Sequence, residues 1–430
     1  MSADWAESHP VETVVSGPSA SAMGARFLAA AGDTGRVSWV VDIGGTTTDI
    51  IRLDEAGSPS VKNEGADIGG HKILIKTIDI RTFGLGGDSR VLRQRDGALR
   101  IGPRRVIPLA AAAAAFPGLD ELLDELEHGK PRGREPLIVL PGRETTAENA
   151  IEERIASKLR DGPSTLERLG EGESIGAAHS MGQLVDKLDE RGLVKIAAFT
   201  PTDALVALNK LGRWERGASL IGARILASHP ARPVEEEAFC GEVCEAVSKL
   251  ISREIFVKAL DKVKYSRVAE GEDLIELGLR RTSAGPEVSL KLNGNVIGVG
   301  APAWAFMPEA AAMLGETAIQ PADFAVAGAV GAAVGTFFLR HTLLITPLLA
   351  AGGFRVHLPD GIRDFEELEE SVSASVEFMI PWLKDLAARA GGVSPNIEWT
   401  RRDEIARVSG GTLPIHLWTQ ILFSVKDGID

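Results

Sequence analysis

The chain has 430 residues, 44% of them apolar and 25% charged, a globular composition with length for about two to four domains at roughly 150 residues each. Its formal net charge of −13 and pI near 5.3 set its summed field against nucleic acid and acidic membrane surfaces. The opening MSADWAESHPVETVV carries neither a basic patch nor an apolar run of signal-peptide length, so a cytoplasmic location is expected.

Ser16 to Ala31, introduced by SGP, reads as a helix of small residues. Val37 to Ile43 is a continuous apolar strand, and Ile50 to Leu53 a second one after the GGTTT turn. Together they predict a hairpin with Asp42 on one side of its turn and Asp49 on the other. Val61 to Arg90 looks extended and ends in GLGGDSR. A helix over Leu109 to Phe116 is stopped by Pro117 and Gly118. Asp120 to Arg143 is charged and proline-containing, which predicts a surface excursion. Thr145 to Arg213 reads as a helical insert, in which QLVDKLDERGLVKIAAFTPTDAL has the helix, turn and strand succession of a winged helix. The acidic DKLDE argues that such a module packs on protein and does not read DNA.

Amphipathic helices follow from about Ala218 through Leu260, and Cys240 and Cys244 share one helical face as small buried thiols. NVIGVG at Asn295 to Gly300 is a strand, and MPEAAAMLG a helix. Phe324 to Leu339 holds 16 uncharged residues rich in Ala and Gly. That is short of the roughly 20 needed to span a bilayer, so a buried helix is expected. The tail from Gly352 contains the acidic amphipathic segment RDFEELEESVSASVEFM, and no internal repeat is evident. These readings divide the chain into 1–118, a lobe with a phosphate loop; 119–217, a charged linker and insert; 218–350, the remainder of the lobe; and 351–430, an α+β tail.

A strand ending in Asp, followed by Gly-Gly-Thr and a second strand, is a recurrent way to hold nucleotide phosphates. Glycines let the backbone approach an anion and offer it N–H groups, threonines add hydroxyl donors, and an aspartate holds Mg²⁺ through water. Asp42, Gly44, Gly45, Thr46 and Thr47 suit these roles, although a glycine turn of this kind also serves ordinary hairpins. Thr200-Pro201-Thr202-Asp203 reads as a capping-box helix start. Asp79 and Arg81 share one face of a strand, where they either pair with each other or meet substrate.

The order of these parts, a small-residue helix, the VVDIGGTTTDI loop, the VIGVG turn and an Ala/Gly-rich helix, resembles one lobe of the actin-like ATPases. More closely, VETVVSGPSASAMGA, VVDIGGTTTDI, KTIDIRTFGLGGDSR, FTPTDALVALNKLGRW and GGFRVHLPDGIRDFEELE resemble the hydantoinase A/oxoprolinase family, from about Glu12 to Glu370. The resemblance implies an α/β fold: an actin-like (ribonuclease H-like) ATPase lobe with a helical insert and a small α+β C-terminal tail. It implies ATP-dependent opening of a cyclic amide through a phosphorylated intermediate; related members carboxylate ketones. Carried over by resemblance, Asp42 positions Mg²⁺, with Asp49 and Asp88 as further catalytic carboxylates. The backbone from Gly44 through Thr48 holds the ATP phosphates, while Gly298, Gly300 and Ala301 flank adenosine. Arg81, Gly86, Gly87 and Ser89 face substrate. Oxoprolinases often carry glycine where this chain has Asp88, a departure that bears on the substrate.

Actin-like ATPases close a cleft between two lobes, each with a phosphate loop, and this sequence holds one DxGGT, at Asp42. A separate chain with the N-terminal lobe and a hydantoinase B-like subunit are therefore expected partners, with a truncated product or a non-catalytic nucleotide-binding scaffold as the competing readings.

Overall fold

The computed structural model describes residues 3–30, 35–62, 66–68, 71–73, 77–129, 135–143, 146–171, 177–260, 275–276, 278–279, 288–335, 338–348, 352–406 and 415–427. The chain divides into two compact units. One comprises Ala20–Ser60 and Ile78–Gly331; the other comprises Met1–Ser19, Val61–Thr77 and Ala332–Asp430.

The larger unit is a lobe built on a five-stranded sheet. Strands β1 (Ser38–Ile43) and β2 (Thr48–Leu53) form the expected hairpin, and β3 (Ile80–Phe83) pairs antiparallel with β2. On the other side of β1 the sheet continues with two strands parallel to it, Asn295–Val299 and then Ala318–Ile319. A three-strand antiparallel meander with two parallel strands added at its first member is a ribonuclease H-like sheet.

Side chains alternate across this sheet. Trp39, Val41, Ile43 and Ile50 enter the main core, where the long helix Glu236–Leu260 packs. Val40, Ile51, Leu53, Ile297 and Val299 meet Ala22 and Ala25 of helix α1 (Ser16–Leu28) together with Ala327. On this second side helix α1 crosses the helix Ala327–Val334 at glycines. A Cβ on Gly24 would lie 1.8 Å from the Ala327 carbonyl oxygen, and one on Gly331 would lie 1.7 Å from that of Ala20. This is the segment expected to be a buried helix, and the structure differs: of Ala327–Val334, Ala327 and Gly331 are buried, and a strand begins at Phe338. Small residues serve one close crossing here.

After the sheet, strands β4 (Ser89–Arg93) and β5 (Leu99–Arg105) form a hairpin, followed by Ile107–Pro108 and helix α2 (Leu109–Ala115). The stretch expected to be a surface excursion contains helix α3 (Leu119–His128), which buries Leu119, Leu122, Leu123 and Leu126, and the buried strand Ile138–Pro141. Charged flanks disguised a four-residue apolar run. That strand lies in a mixed four-stranded sheet with Ile107–Pro108, Ser164–Thr165 and Val194–Ala198. Ile138, Leu140 and Ala197 face the main core; Leu137, Val139, Ile196 and Ala198 face a second core closed by helices α4 (Ala150–Arg160) and α5 (Ala177–Arg191). The supposed winged helix is therefore the far wall of a sheet whose other face is the lobe's own core.

Helices α6 (Pro201–Ala207), α7 (Gly217–Ala227), α8 (Glu236–Leu260) and α9 (Ala303–Ala312) complete the main core. Cys240 and Cys244 are buried free thiols in α8, and burial pushes them up to about 12 and about 11, respectively.

The smaller unit is an α+β structure. Strands Phe338–Pro347, Phe354–Leu358, Gly361–Phe365, Pro395–Ala406 and Ile415–Asp427 form an antiparallel sheet. The acidic segment noted in the sequence becomes helix α10 (Leu368–Arg389), which lays Val372, Met379, Leu383 and Ala387 against Ile345, Val356, Ile421 and Phe423. Among the described residues no helix is long and apolar enough to cross a membrane.

Candidate phosphate site

The turn between β1 and β2 is where the chain's polar chemistry converges. Gly44 donates its N–H to the Thr47 carbonyl at 2.9 Å, which closes the turn. The second glycine run then docks onto it: Gly87 N–H donates to the Gly44 carbonyl at 3.0 Å, and Asp88 N–H to that of Gly45 at 2.8 Å. A Cβ on Gly86 would stand 2.5 Å from both carbonyl oxygens, so only glycine allows this approach. Both turn carbonyls are thereby occupied, while the N–H groups of Gly45, Thr46 and Thr47 have no acceptor among the described residues. Such a set of unpaired backbone donors is an anion cradle.

Two further loops reach the same place. Thr202, in the first turn of α6, donates both its N–H (2.9 Å) and its hydroxyl (2.8 Å) to the Gly87 carbonyl. Gly300 follows the strand parallel to β1 with φ +89°, and a Cβ there would lie 2.2 Å from the Ile43 carbonyl oxygen and 2.6 Å from Asp42 Oδ1. Neighbouring Ala301 is exposed.

Asp42 and Asp49 face each other across the hairpin. The Ser21 hydroxyl hydrogen-bonds the Asp42 carboxylate, and the Thr82 hydroxyl donates to Asp49 Oδ1 at 2.7 Å. Burial raises the pKa of both, and for Asp49 the Asp42 charge adds to the rise. Among the described residues neither has a Lys, Arg or His within ion-pair distance, and no group of three or more His, Cys, Asp or Glu is assembled to hold a metal. Two partly buried carboxylates without a countercharge fit Mg²⁺, which takes one or two protein carboxylates and completes its shell with phosphate oxygens and water.

Several residues expected at the site are employed elsewhere. Thr48 is buried and donates its hydroxyl to the Leu85 carbonyl at 2.7 Å, so it braces the loop from behind. Ser89 is also buried; its hydroxyl accepts the Gly86 N–H at 2.9 Å and closes the second glycine turn from within. Gly298 is a packing position, since a Cβ on it would meet Met307 Cγ at 2.6 Å. Arg81 sits one residue from Thr82 and so points to the opposite face of the sheet, where it pairs with Glu254 of α8 at 2.5 Å. Asp79, on that same face, pairs with Lys258 one helical turn further along α8. Neither alternative stated for this pair holds: each residue is tied to α8. The two glycines upstream of KTIDIRTFGLGGDSR, Gly69 and Gly70, which share in the family resemblance, lie outside the described residues.

Sequence reasoning missed Ser21, Thr82, Thr202 and Arg105. Arg105 ends β5 and pairs with Asp88 at 3.0 Å. Strand alternation from Asp49 through the antiparallel partner would have found Thr82; for Arg105 there was no local signal.

The sheet order and the cradle define a ribonuclease H-like lobe with a candidate anion site. Residues 1–121 match the family model described as hydantoinase/oxoprolinase. No curated protein matches the chain. Among solved structures it is similar to acetone carboxylase in a nucleotide-free state, from work on the mechanism of ATP-dependent acetone carboxylation, with a TM-score of 0.49 and 13% identity over 97% of this chain and 50% of that one. It is also similar to the ATP-dependent caprolactamase from Pseudomonas jessenii, with a TM-score of 0.47 and 15% identity over 95% of this chain and 49% of that one. The chain spans about half the length of the solved structures it matches.

Proposed function

We propose that this lobe holds the phosphates of ATP in an enzyme of the hydantoinase/5-oxoprolinase type, one that opens a cyclic amide through a phosphorylated intermediate. The observation that carries the reading is the cradle of unpaired Gly45, Thr46 and Thr47 N–H groups next to the Asp42/Asp49 pair, within a segment matched to that family. When bound, Mg²⁺ supplies charge neutralisation for the phosphates, and Asp42 with Asp49 would hold it. A second lobe and a hydantoinase B-like subunit complete the enzyme in this reading.

An amide nitrogen is a poor leaving group, and activation of the amide oxygen removes that barrier. The amide carbonyl oxygen attacks the γ-phosphorus and ADP departs with the electron pair of the broken P–O bond. Water then adds at the ring carbon, and the C–N bond breaks as the nitrogen takes up a proton. A second water hydrolyses the resulting acyl phosphate to carboxylate and phosphate. The backbone donors of residues 45–47 orient the transferred group and spread its charge, the part of catalysis that preorganised dipoles perform best.

The test is reconstitution with the complementary lobe and the hydantoinase B-like subunit, followed by assay of ADP release with hydantoin, 5-oxoproline or a lactam. Ring-dependent ADP release that Asp42→Ala lowers by about a hundredfold or more is the expected result. Release that depends on a ketone and bicarbonate would move the lobe to the carboxylating branch, and no substrate-dependent release at all would sink the catalytic reading.

A further inference from the structure

We infer that Arg105 is an anion-binding side chain of this cradle, held at its rim by Asp88, and that the pair sets the cradle's affinity for the polyphosphate of the nucleotide; the inference rests on the nucleotide reading above.

Asp88 is pinned. Its N–H is given to the Gly45 carbonyl and its own carbonyl accepts the Val106 N–H at 3.0 Å. That places its carboxylate against the turn, with Oδ2 2.8 Å from where a Cβ on Gly45 would stand. A fixed negative charge at the rim of an anion cradle opposes phosphate unless a cation accompanies it. Arg105 is the one cation within ion-pair distance of Asp88 among the described residues. The end of β5 runs antiparallel beside Ser89 and delivers it there.

The geometry of the pair leaves the guanidinium with binding capacity. Nε and Nη2 both converge on Oδ2, at 3.2 and 3.0 Å, in place of the two-oxygen fork that saturates both partners. Nη1 has no acceptor among the described residues. The Arg105 side chain is 62% exposed while that of Asp88 is 21% exposed, so the cation lies over the rim, open to an incoming anion. As a purely structural feature the arrangement has little to recommend it, since exposed ion pairs contribute about 0–1 kcal/mol. A cradle that binds a polyanion needs the cation there, and Asp88 keeps it in position while moderating its strength.

Opposite signs separate this role from a structural one. With the full chain, the Kd for MgATP is measured by calorimetric titration, and adenosine serves as a phosphate-free control. Arg105→Ala is expected to weaken MgATP about tenfold and Arg105→Lys to recover part of the loss. Asp88→Asn, which frees the guanidinium and removes the opposing charge, is expected to tighten MgATP several-fold, and Asp88→Asn with Arg105→Ala to fall between. Adenosine binding stays unchanged throughout. If Arg105→Ala and Asp88→Asn shift MgATP in the same direction, if neither shifts it, or if adenosine moves in parallel, the inference is overturned while the nucleotide reading stands. A wild-type chain that fails to bind MgATP overturns the nucleotide reading, and this inference with it.

Discussion

Burial raises the pKa of Asp42 and Asp49, and the two charges face each other across two hydrogen-bonded strands. A carboxyl that titrates higher in the folded chain than in the unfolded one makes the native state the better proton binder. Stability therefore falls as pH rises from the ordinary carboxyl range through the raised values. Asp42→Asn removes one of these ionisations and can still accept the Ser21 hydroxyl. Its unfolding temperature is expected to exceed that of the wild type at pH 7, with the gap narrowing as pH falls and the wild-type carboxyl takes up its proton. Thermal melts across pH 4 to 8 read this directly, and a gap that does not vary with pH would assign the effect to packing. The same variant should lose most of any Mg²⁺-dependent stabilisation by ATP. A site that costs stability until a cation fills it is what a binding site needs and a structural hairpin does not.

At the scale of elements, Asp203 joins two helices. It forms the capping box of α6 with Thr200, and its carboxylate also accepts the N–H groups of Leu109 at 3.1 Å and Ala110 at 2.9 Å, the first residues of α2, as well as the Ser219 hydroxyl at 2.8 Å. Helix α2 begins after Pro108 with no side-chain cap of its own. Burial raises the Asp203 pKa against five hydrogen bonds that favour the ionised form. Asp203→Ala would leave the start of α2 uncapped and break the reciprocal half of the α6 capping box, stranding the N–H groups of Leu109, Ala110 and Thr200 in a dry environment, while Thr200 still caps α6. Each cap is worth about 1 kcal/mol and each stranded buried donor about 1–3 kcal/mol, so a loss of about 3 kcal/mol or more is expected from urea titration. A loss below about 1 kcal/mol would mean that water reaches these donors.

The same residue shows how far the sequence could be read. TPTD is a local signal, and so are the β1–β2 hairpin, the cradle glycines and the amphipathic α10; all were legible because propensity and spacing act over a few residues. The second helix that Asp203 caps lies 94 residues away, and the Glu254 that takes Arg81 out of the site lies 173 away. Only the folded chain makes these neighbours. Arg105 is of the same kind: nothing in IGPRRV marks its second arginine until β5 is laid against Ser89. The strand at Ile138 failed for a different reason, since its apolar run is short and its charged flanks dominate any window of helical length.

At the scale of the whole molecule, the two compact units have separate hydrophobic cores. The lobe's main core contains Phe306, and the core of the smaller unit contains Leu383, both fully buried. Chains with more than one core need not unfold in a single step, so calorimetry is expected to resolve two transitions. Phe306→Ala, at a cost of about 3–5 kcal/mol, should lower one of them, and Leu383→Ala, at about 2–5 kcal/mol, the other. MgATP binds only folded protein, and at about a hundred times its Kd it stabilises the unit that binds it by about 2.7 kcal/mol. The cradle is made entirely of residues from the larger unit. The transition that Phe306→Ala lowers should therefore be the one that MgATP raises, with the other unmoved. If MgATP raised the Leu383-sensitive transition instead, the nucleotide would have to be sought in the smaller unit. If both substitutions moved a single common transition, the two cores would form one cooperative structure and the ligand would be expected to stabilise it as a whole.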